Sequence, residues 1–142
     1  MSEEKITGFI AGAFDVIHPG YIHMLNEARK HCNYLIIGLH EDPSLARKNK
    51  LKPILTIEER KEILFSLKHV NAVIVYKTEE DLYNILRHVE IDIRFLGTDY
   101  EESEFTGNEL PIPIHFVERD HEWSTTKFKR LVAESWTKNE AK

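Results

Sequence analysis

The sequence predicts an α/β fold in which about five parallel strands form one sheet with helices on both faces. Two observations carry that reading. Strand-length apolar runs alternate with segments of helical period along the chain, the order that a βαβ build requires. The strand runs are also continuous, as in YLIIGL and VNAVIVY, and a strand that is apolar on both sides is buried on both faces. A length of 142 residues fits one domain around one core. Its expected bounds are 1–136, with a C-terminal tail at 137–142.

The elements follow in order. Lys5 to Ala13, KITGFIAGA, reads as a buried strand that ends in small residues. Pro19 to Cys32 reads as a helix, with Pro19 at a helix-starting position and Ile22, Leu25, Ala28 and Cys32 on its inner side. Tyr34 to Leu39 is the second strand, and Glu41 to Leu55 is a polar, basic loop. Thr56 opens the next helix with Glu59 three residues on, a capping box, and Ile63, Leu64 and Leu67 form its apolar stripe. Val70 to Tyr76 is the third strand. Thr78 caps a helix with Leu82, Ile85, Leu86 and Val89 inward. Ile91 to Leu96 is the fourth strand, 97–111 a polar loop, and Ile112 to Val117 a fifth short strand. Ser124 caps the last helix, with Phe128, Leu131, Val132 and Trp136 inside.

Composition narrows the function. Hydrophobic residues make up 42% and charged residues 30%, an ordinary soluble balance. The single cysteine, Cys32, excludes an internal disulfide and reads as a small buried hydrophobe. No apolar run approaches the roughly 18 residues that span a bilayer, and the acidic start MSEEKITGF has no signal-peptide apolar region. A cytoplasmic protein without membrane contact is expected. The net charge of −5 argues against a nucleic-acid surface. An anionic ligand would need a local basic cluster that opposes the global field.

In open parallel sheets the ligand sits outside the carboxyl ends of the strands. The segments that matter are therefore 12–20, 39–52, 97–100 and 119–126. The first reads Gly12-Ala13-Phe14-Asp15-Val16-Ile17-His18-Pro19-Gly20-Tyr21. Small residues admit close backbone approach, and His18 and Gly20 stand at a helix N-terminus that favours phosphate.

GAFDVIHPGY resembles the GxFDxxHxGH signature of the cytidylyltransferase family, in particular its glycerol-3-phosphate branch. Arg119-Asp120-His121-Glu122-Trp123-Ser124-Thr125-Thr126 resembles the family's second signature, RTxGxSTT. Lys48-Asn49-Lys50 resembles its basic K-x-K loop, Glu58-Glu59-Arg60 its helix-start arginine, and Gly97-Thr98-Asp99-Tyr100 its nucleotide contact. The resemblance covers about residues 6–134. It implies a Rossmann-like, doubly wound sheet, usually in a homodimer. A substrate phosphate attacks the α-phosphorus of a nucleoside triphosphate in line, and pyrophosphate leaves.

The roles it implies are these. His18 donates to the α-phosphate, helped by Tyr21. Lys48 and Lys50 clamp phosphates, and Arg119 grips them with two prongs. Ala13, Phe14, Asp15 and Gly20 form the first nucleotide loop. Ser124, Thr125 and Thr126 offer a second helix N-terminus to the triphosphate, and Asp99 holds ribose or base. Arg60, His121 and Trp123 face the acceptor. Mg²⁺ is expected on the triphosphate, with no protein metal ligand assigned. CTP is favoured over ATP, and the acceptor is a phosphorylated small alcohol such as glycerol 3-phosphate. An ATP-dependent adenylyltransferase acting on a sugar phosphate and a catalytically impaired nucleotide binder are the alternatives. The sequence departs from the pattern at Tyr21, where the family has histidine, and at Asp120, Glu122 and Trp123. A tyrosine hydroxyl still donates one hydrogen bond but carries no positive charge at neutral pH. His121 is the better candidate to compensate, because His23 is expected to point away from the face of Tyr21.

Overall fold

The computed structural model describes residues 4–140. Its elements are β1 (Thr7–Gly12), α1 (Pro19–Arg29), β2 (Tyr34–His40), α2 (Ile57–Ser66), β3 (Ala72–Tyr76), α3 (Glu79–His88), β4 (Ile93–Gly97), β5 (Ile114–Val117) and α4 (Thr125–Glu140). The strands form one sheet in the order β3-β2-β1-β4-β5, and every pairing is parallel. This is the Rossmann-like, doubly wound arrangement that the sequence predicts. The chain winds outward from β1 through β2 to β3, then crosses back to lay β4 on the other side of β1. The winding reverses between β1 and β4, and a crevice opens there at the carboxyl ends.

Each sheet face has its own core. On one, Ile10, Leu35, Ile37, Leu39 and Phe95 meet Leu25 and Ala28 of α1 and Leu64 of α2. On the other, Phe9, Ile36 and Tyr76 meet Leu82 and Leu86 of α3. Each such large side chain contributes about 1.5–3 kcal/mol by leaving water. The capping box at Thr56 and Glu59 forms as expected, and Thr78 forms a second one with Asp81.

Three helices differ from the expected pattern. α1 ends at Arg29, so Cys32 lies beyond it, buried, with its thiol bonded to the Ala28 carbonyl. Ile22 is exposed, because the inner stripe of α1 is Tyr21, Met24, Leu25 and Ala28. On α2, Ile63 also faces outward, and the stripe Ile57, Arg60, Leu64 puts a charged residue at an inward position. α4 departs most. It has no buried residue, and Leu131, Val132 and Trp136 are 47%, 56% and 66% exposed. Both sheet faces are already covered, so only the first turns of α4 find a partner. The helix also runs past 136 to Glu140, where a tail was expected. Residues 1–3 and 141–142 of the expected domain and tail lie outside the described residues. Among the described residues no helix is long and apolar enough to cross a membrane.

Candidate active site

The exit of β1 is tightly determined. Phe14 adopts φ +46°, a left-handed conformation that costs free energy for a bulky residue. Its buried ring stacks on Tyr21, with centroids 4.7 Å apart. Asp15 follows, 1% exposed. Its carboxylate accepts the N–H groups of Ile54 (2.7 Å) and Leu55 (2.8 Å) and pairs with Lys129 at 2.6 Å. Burial alone would raise the Asp15 pKa. Lys129 and the two N–H donors outweigh it and hold the group below the ordinary carboxylate value. Asp15 therefore staples the first loop to the segment before α2 and to α4. It lines the cleft with its carboxylate already engaged, so within the first nucleotide loop its part is to order the loop.

His18 is the N-cap of α1. Its Nδ1 accepts the Gly20 N–H at 3.1 Å, which fixes the tautomer: the neutral ring carries its proton on Nε2. That atom lies 3.3 Å from Thr125 Oγ1, and Tyr21 Oη lies 2.8 Å from the same oxygen. Two side chains of the first signature thus converge on one hydroxyl of the second, across more than 100 positions of sequence. Gly20 permits this, because a Cβ there would stand 2.8 Å from His18 Cε1 and 3.0 Å from Trp123 Cβ. Burial lowers the His18 pKa, and the neighbouring charges of His121 and Arg119 lower it further. Burial raises the Tyr21 pKa against the Thr125 bond, so its hydroxyl stays neutral.

The second signature folds on itself. Arg119 donates to the Trp123 carbonyl, and His121 Nδ1 accepts the Trp123 N–H at 3.1 Å. Ser124 Oγ accepts the Lys127 N–H, as a helix cap does. Trp123 lies nearly parallel to His18, with centroids 5.9 Å apart. Arg119, His121, Trp123, Ser124, Thr125 and Thr126 all line a cleft of about 390 Å³, together with Ala13, Lys50 and Asp99. That volume suits a small-molecule site.

Three expectations change. Lys48 is exposed and does not line the cleft, whereas its neighbours Arg47 and Lys50 do. Arg60 does not reach the cleft either. It is 2% exposed, and its guanidinium donates to the carbonyls of Ala13, His40, Glu41 and Leu55. These donors are spent on the backbone, so Arg60 bolts strand ends together and is not an acceptor ligand. His23 does not turn away; it lines the cleft and stacks on His121 at 5.3 Å.

Several lining residues were not anticipated. Lys129 follows Thr125 by four positions, so it shares that helix face, a spacing readable after the STT signature. Arg94 is the one cation in the run IDIRFL, which also holds Asp92, and it lies inside the strand. His40 and Tyr76 add polar groups from the ends of β2 and β3, and Glu79 adds one from the start of α3. With Asp15 occupied by Lys129, Lys50 and Arg119 are the cations near the two signatures, and the lining also holds the carboxylates of Glu79, Asp99 and Glu118. At the far end of α1, ligand atoms of Glu27, His31 and His115 lie within 4.8 Å of one another and could hold a cation, although Glu27 already pairs with Lys30 at 3.1 Å. No sequence spacing announces that grouping.

The profile of the cytidylyltransferase-like family matches residues 9–132. The bifunctional protein HldE of Gluconacetobacter diazotrophicus is 34% identical over 104 residues, 72% of this chain and 21% of the relative. The HldE of Wolinella succinogenes is 36% identical over 111 residues, 78% of this chain and 23% of the relative. The chain thus spans about a fifth of the length of these curated relatives. Among solved structures, a lipopolysaccharide core biosynthesis protein from Thermoplasma volcanium GSS1 superposes with a TM-score of 0.65 at 28% identity, covering 84% of this chain and 100% of that one.

Proposed function

The chain belongs to the cytidylyltransferase-like family of nucleotidyltransferases, and from that premise we propose that it transfers a nucleoside monophosphate from a nucleoside triphosphate to a sugar phosphate. The convergence of His18 and Tyr21 on Thr125 at the N-terminus of α4 carries the reading. An oxygen of the acceptor phosphate attacks the α-phosphorus. The bond to the β-phosphate breaks, and pyrophosphate leaves. The protein contributes position and charge, not a nucleophile.

His18 acts as a neutral donor. Its lowered pKa keeps Nε2–H available without adding a cation, and the bond now made to Thr125 Oγ1 passes to an α-phosphate oxygen as charge grows there. Tyr21 supplies the second donor. Lys50 and Arg119 neutralise the outer phosphates, and the first-turn N–H groups of α4 receive one of them. Mg²⁺ bound with the triphosphate would offset part of its charge. Asp15 is already saturated, which fits an ion held by phosphate oxygens and water.

The solved neighbour is a lipopolysaccharide core biosynthesis protein, and such cores are built from sugars, so this reading takes a sugar phosphate as acceptor and pairs it with ATP as donor. CMP transfer from CTP to glycerol 3-phosphate is the second reading, supported by the GAFDVIHPGY signature. The exposed apolar side of α4 supports a homodimer, with a second copy covering Leu131, Val132 and Trp136.

The test is pyrophosphate release with Mg²⁺, crossing ATP and CTP against hexose 1-phosphates and glycerol 3-phosphate. Release that needs ATP and a hexose phosphate is the expected result. Release only with CTP and glycerol 3-phosphate would replace the first reading by the second. No acceptor-dependent release would defeat both.

A further inference from the structure

The phosphate chemistry leaves one wall of the cleft unused. It is built from the exits of β2 and β3, the start of α3 and the middle of β4. Arg94 is its centre. This residue sits within β4 and is 4% exposed, yet it lines the cleft. Its Nη1 donates to the Thr106 carbonyl, and its guanidinium carbon lies 5.2 Å from the centroid of the Phe105 ring. Its Nε is buried and, among the described residues, has no hydrogen-bond partner. A buried donor left unpaired is costly, and a buried charge more so. An apolar residue would fill this β4 position at no such cost.

The surroundings are shaped to keep Arg94 in place. Gly107 adopts φ +80°, and a Cβ there would stand 3.3 Å from Arg94 Nη1. Glu79, whose charge acts on Arg94, does not pair with it. Its carboxylate instead accepts the Thr106 hydroxyl at 2.7 Å and reaches Arg47 at 3.8 Å. Arg47 is exposed at the rim. Behind it the wall holds one guanidinium and one carboxylate, beside the edge-to-face rings of Tyr100 and Phe105. Glu79 makes this wall a poor place for a second phosphate. A donor, an acceptor and aromatic faces suit a neutral polyol.

We propose that Arg94 and Glu79 form the subsite that reads the hydroxyl groups of a polyhydroxylated acceptor, with Arg94 Nε donating to one sugar oxygen and the Glu79 carboxylate accepting from a neighbouring hydroxyl. The proposal rests on the transferase reading above and adds the residues that select the acceptor. Arg94 and Glu79 are specificity determinants here. The reacting phosphates remain at His18, Lys50 and Arg119.

The experiment compares wild type, Arg94→Gln and Glu79→Gln in two assays. The first is initial-rate pyrophosphate release with hexose 1-phosphates and with glycerol 3-phosphate. The second is calorimetric binding of the same phosphates in the presence of a non-hydrolysable triphosphate. The expected result is an acceptor KM raised by about 10-fold or more for the hexose phosphates, with triphosphate KM and saturated kcat within about twofold. The penalty should be small for glycerol 3-phosphate, which has little body to read. Glu79 is only partly buried, so its variant carries the test if Arg94→Gln fails to fold. Turnover with unchanged acceptor KM in both folded variants overturns this proposal and leaves the transferase reading intact. Hexose phosphate binding that the variants abolish, without turnover in wild type, upholds the subsite and defeats the transferase. Wild type that neither binds a hexose phosphate nor turns over any acceptor, glycerol 3-phosphate included, defeats both, and turnover of glycerol 3-phosphate alone defeats the subsite and leaves a transferase.

Discussion

Tyr21 is where the residue scale decides most. Its hydroxyl stands in a three-way arrangement with His18 and Thr125, so it supplies one donor in place of an imidazole. Tyr21→Phe keeps the ring stacked on Phe14 and removes only that donor. Turnover is expected to fall about 10²-fold, the loss typical of one preorganised donor, with triphosphate affinity nearly unchanged in calorimetry. An unaltered rate would remove Tyr21 from the mechanism. His18 adds a pH signature. Its folded pKa lies below its ordinary 6.5, so the unfolded chain binds the proton more readily and stability rises with pH. Its contribution is complete above 6.5 and declines as pH falls through the window below. Asp15 is an acid with a depressed pKa, so its contribution persists down to 3.8 and is lost only below that. Urea melts from pH 8 to 3 should show an upper decline, to which His40 and His69 also contribute, and a lower one, and His18→Gln should shrink the upper decline while leaving the lower one in place.

At the scale of elements, the local helix caps were readable in the sequence, and the two long-range anchors of the cleft, Arg60 and the Asp15–Lys129 pair, were not. The capping box of α2 and the N-terminal proline of α1 were legible, because caps are local and carry short spacings. The inward arginine of the same α2 was taken for a ligand, since a charged residue at a helix start reads as exposed until its four carbonyl partners are known. The Asp15–Lys129 pair was not foreseen, because nothing in sequence links positions 114 apart. Asp15 is buried and the Lys129 side chain is only 10% exposed, so removing the cation leaves a buried carboxylate without its counter-charge. Lys129→Ala is expected to cost about 3–5 kcal/mol in urea unfolding. The double variant Asp15→Asn with Lys129→Ala should recover part of that loss. If the single variant melts like wild type, the pair is not a structural anchor.

For the whole molecule, the alternation of strand and helix was enough to give a parallel sheet, and the strand exits were enough to locate the cleft. The extent of the core was misjudged at the C-terminus. Leu131, Val132 and Trp136 have helical spacing, but periodicity says only that a helix has an apolar side, not what covers it. A second copy as the cover predicts a dimer in sedimentation velocity, shifted toward monomer by Trp136→Glu without change in the far-ultraviolet spectrum. A wild-type monomer would leave that side of α4 without the proposed partner. Arg94 shows the opposite case, since the sequence reading gave this strand residue no role and it lines the site.

The way α4 is fastened has a consequence for dynamics. With no buried residue, this helix is held by the Asp15–Lys129 pair and by Thr125, both of which belong to the cleft. Its opening should therefore need far less free energy than opening the sheet, and its amides should exchange with deuterium well before those of β1 and β2. A triphosphate bound at its first turn would stabilise the closed form by mass action. Exchange protection along α4 would then serve as a gauge of cleft occupancy, readable without any turnover.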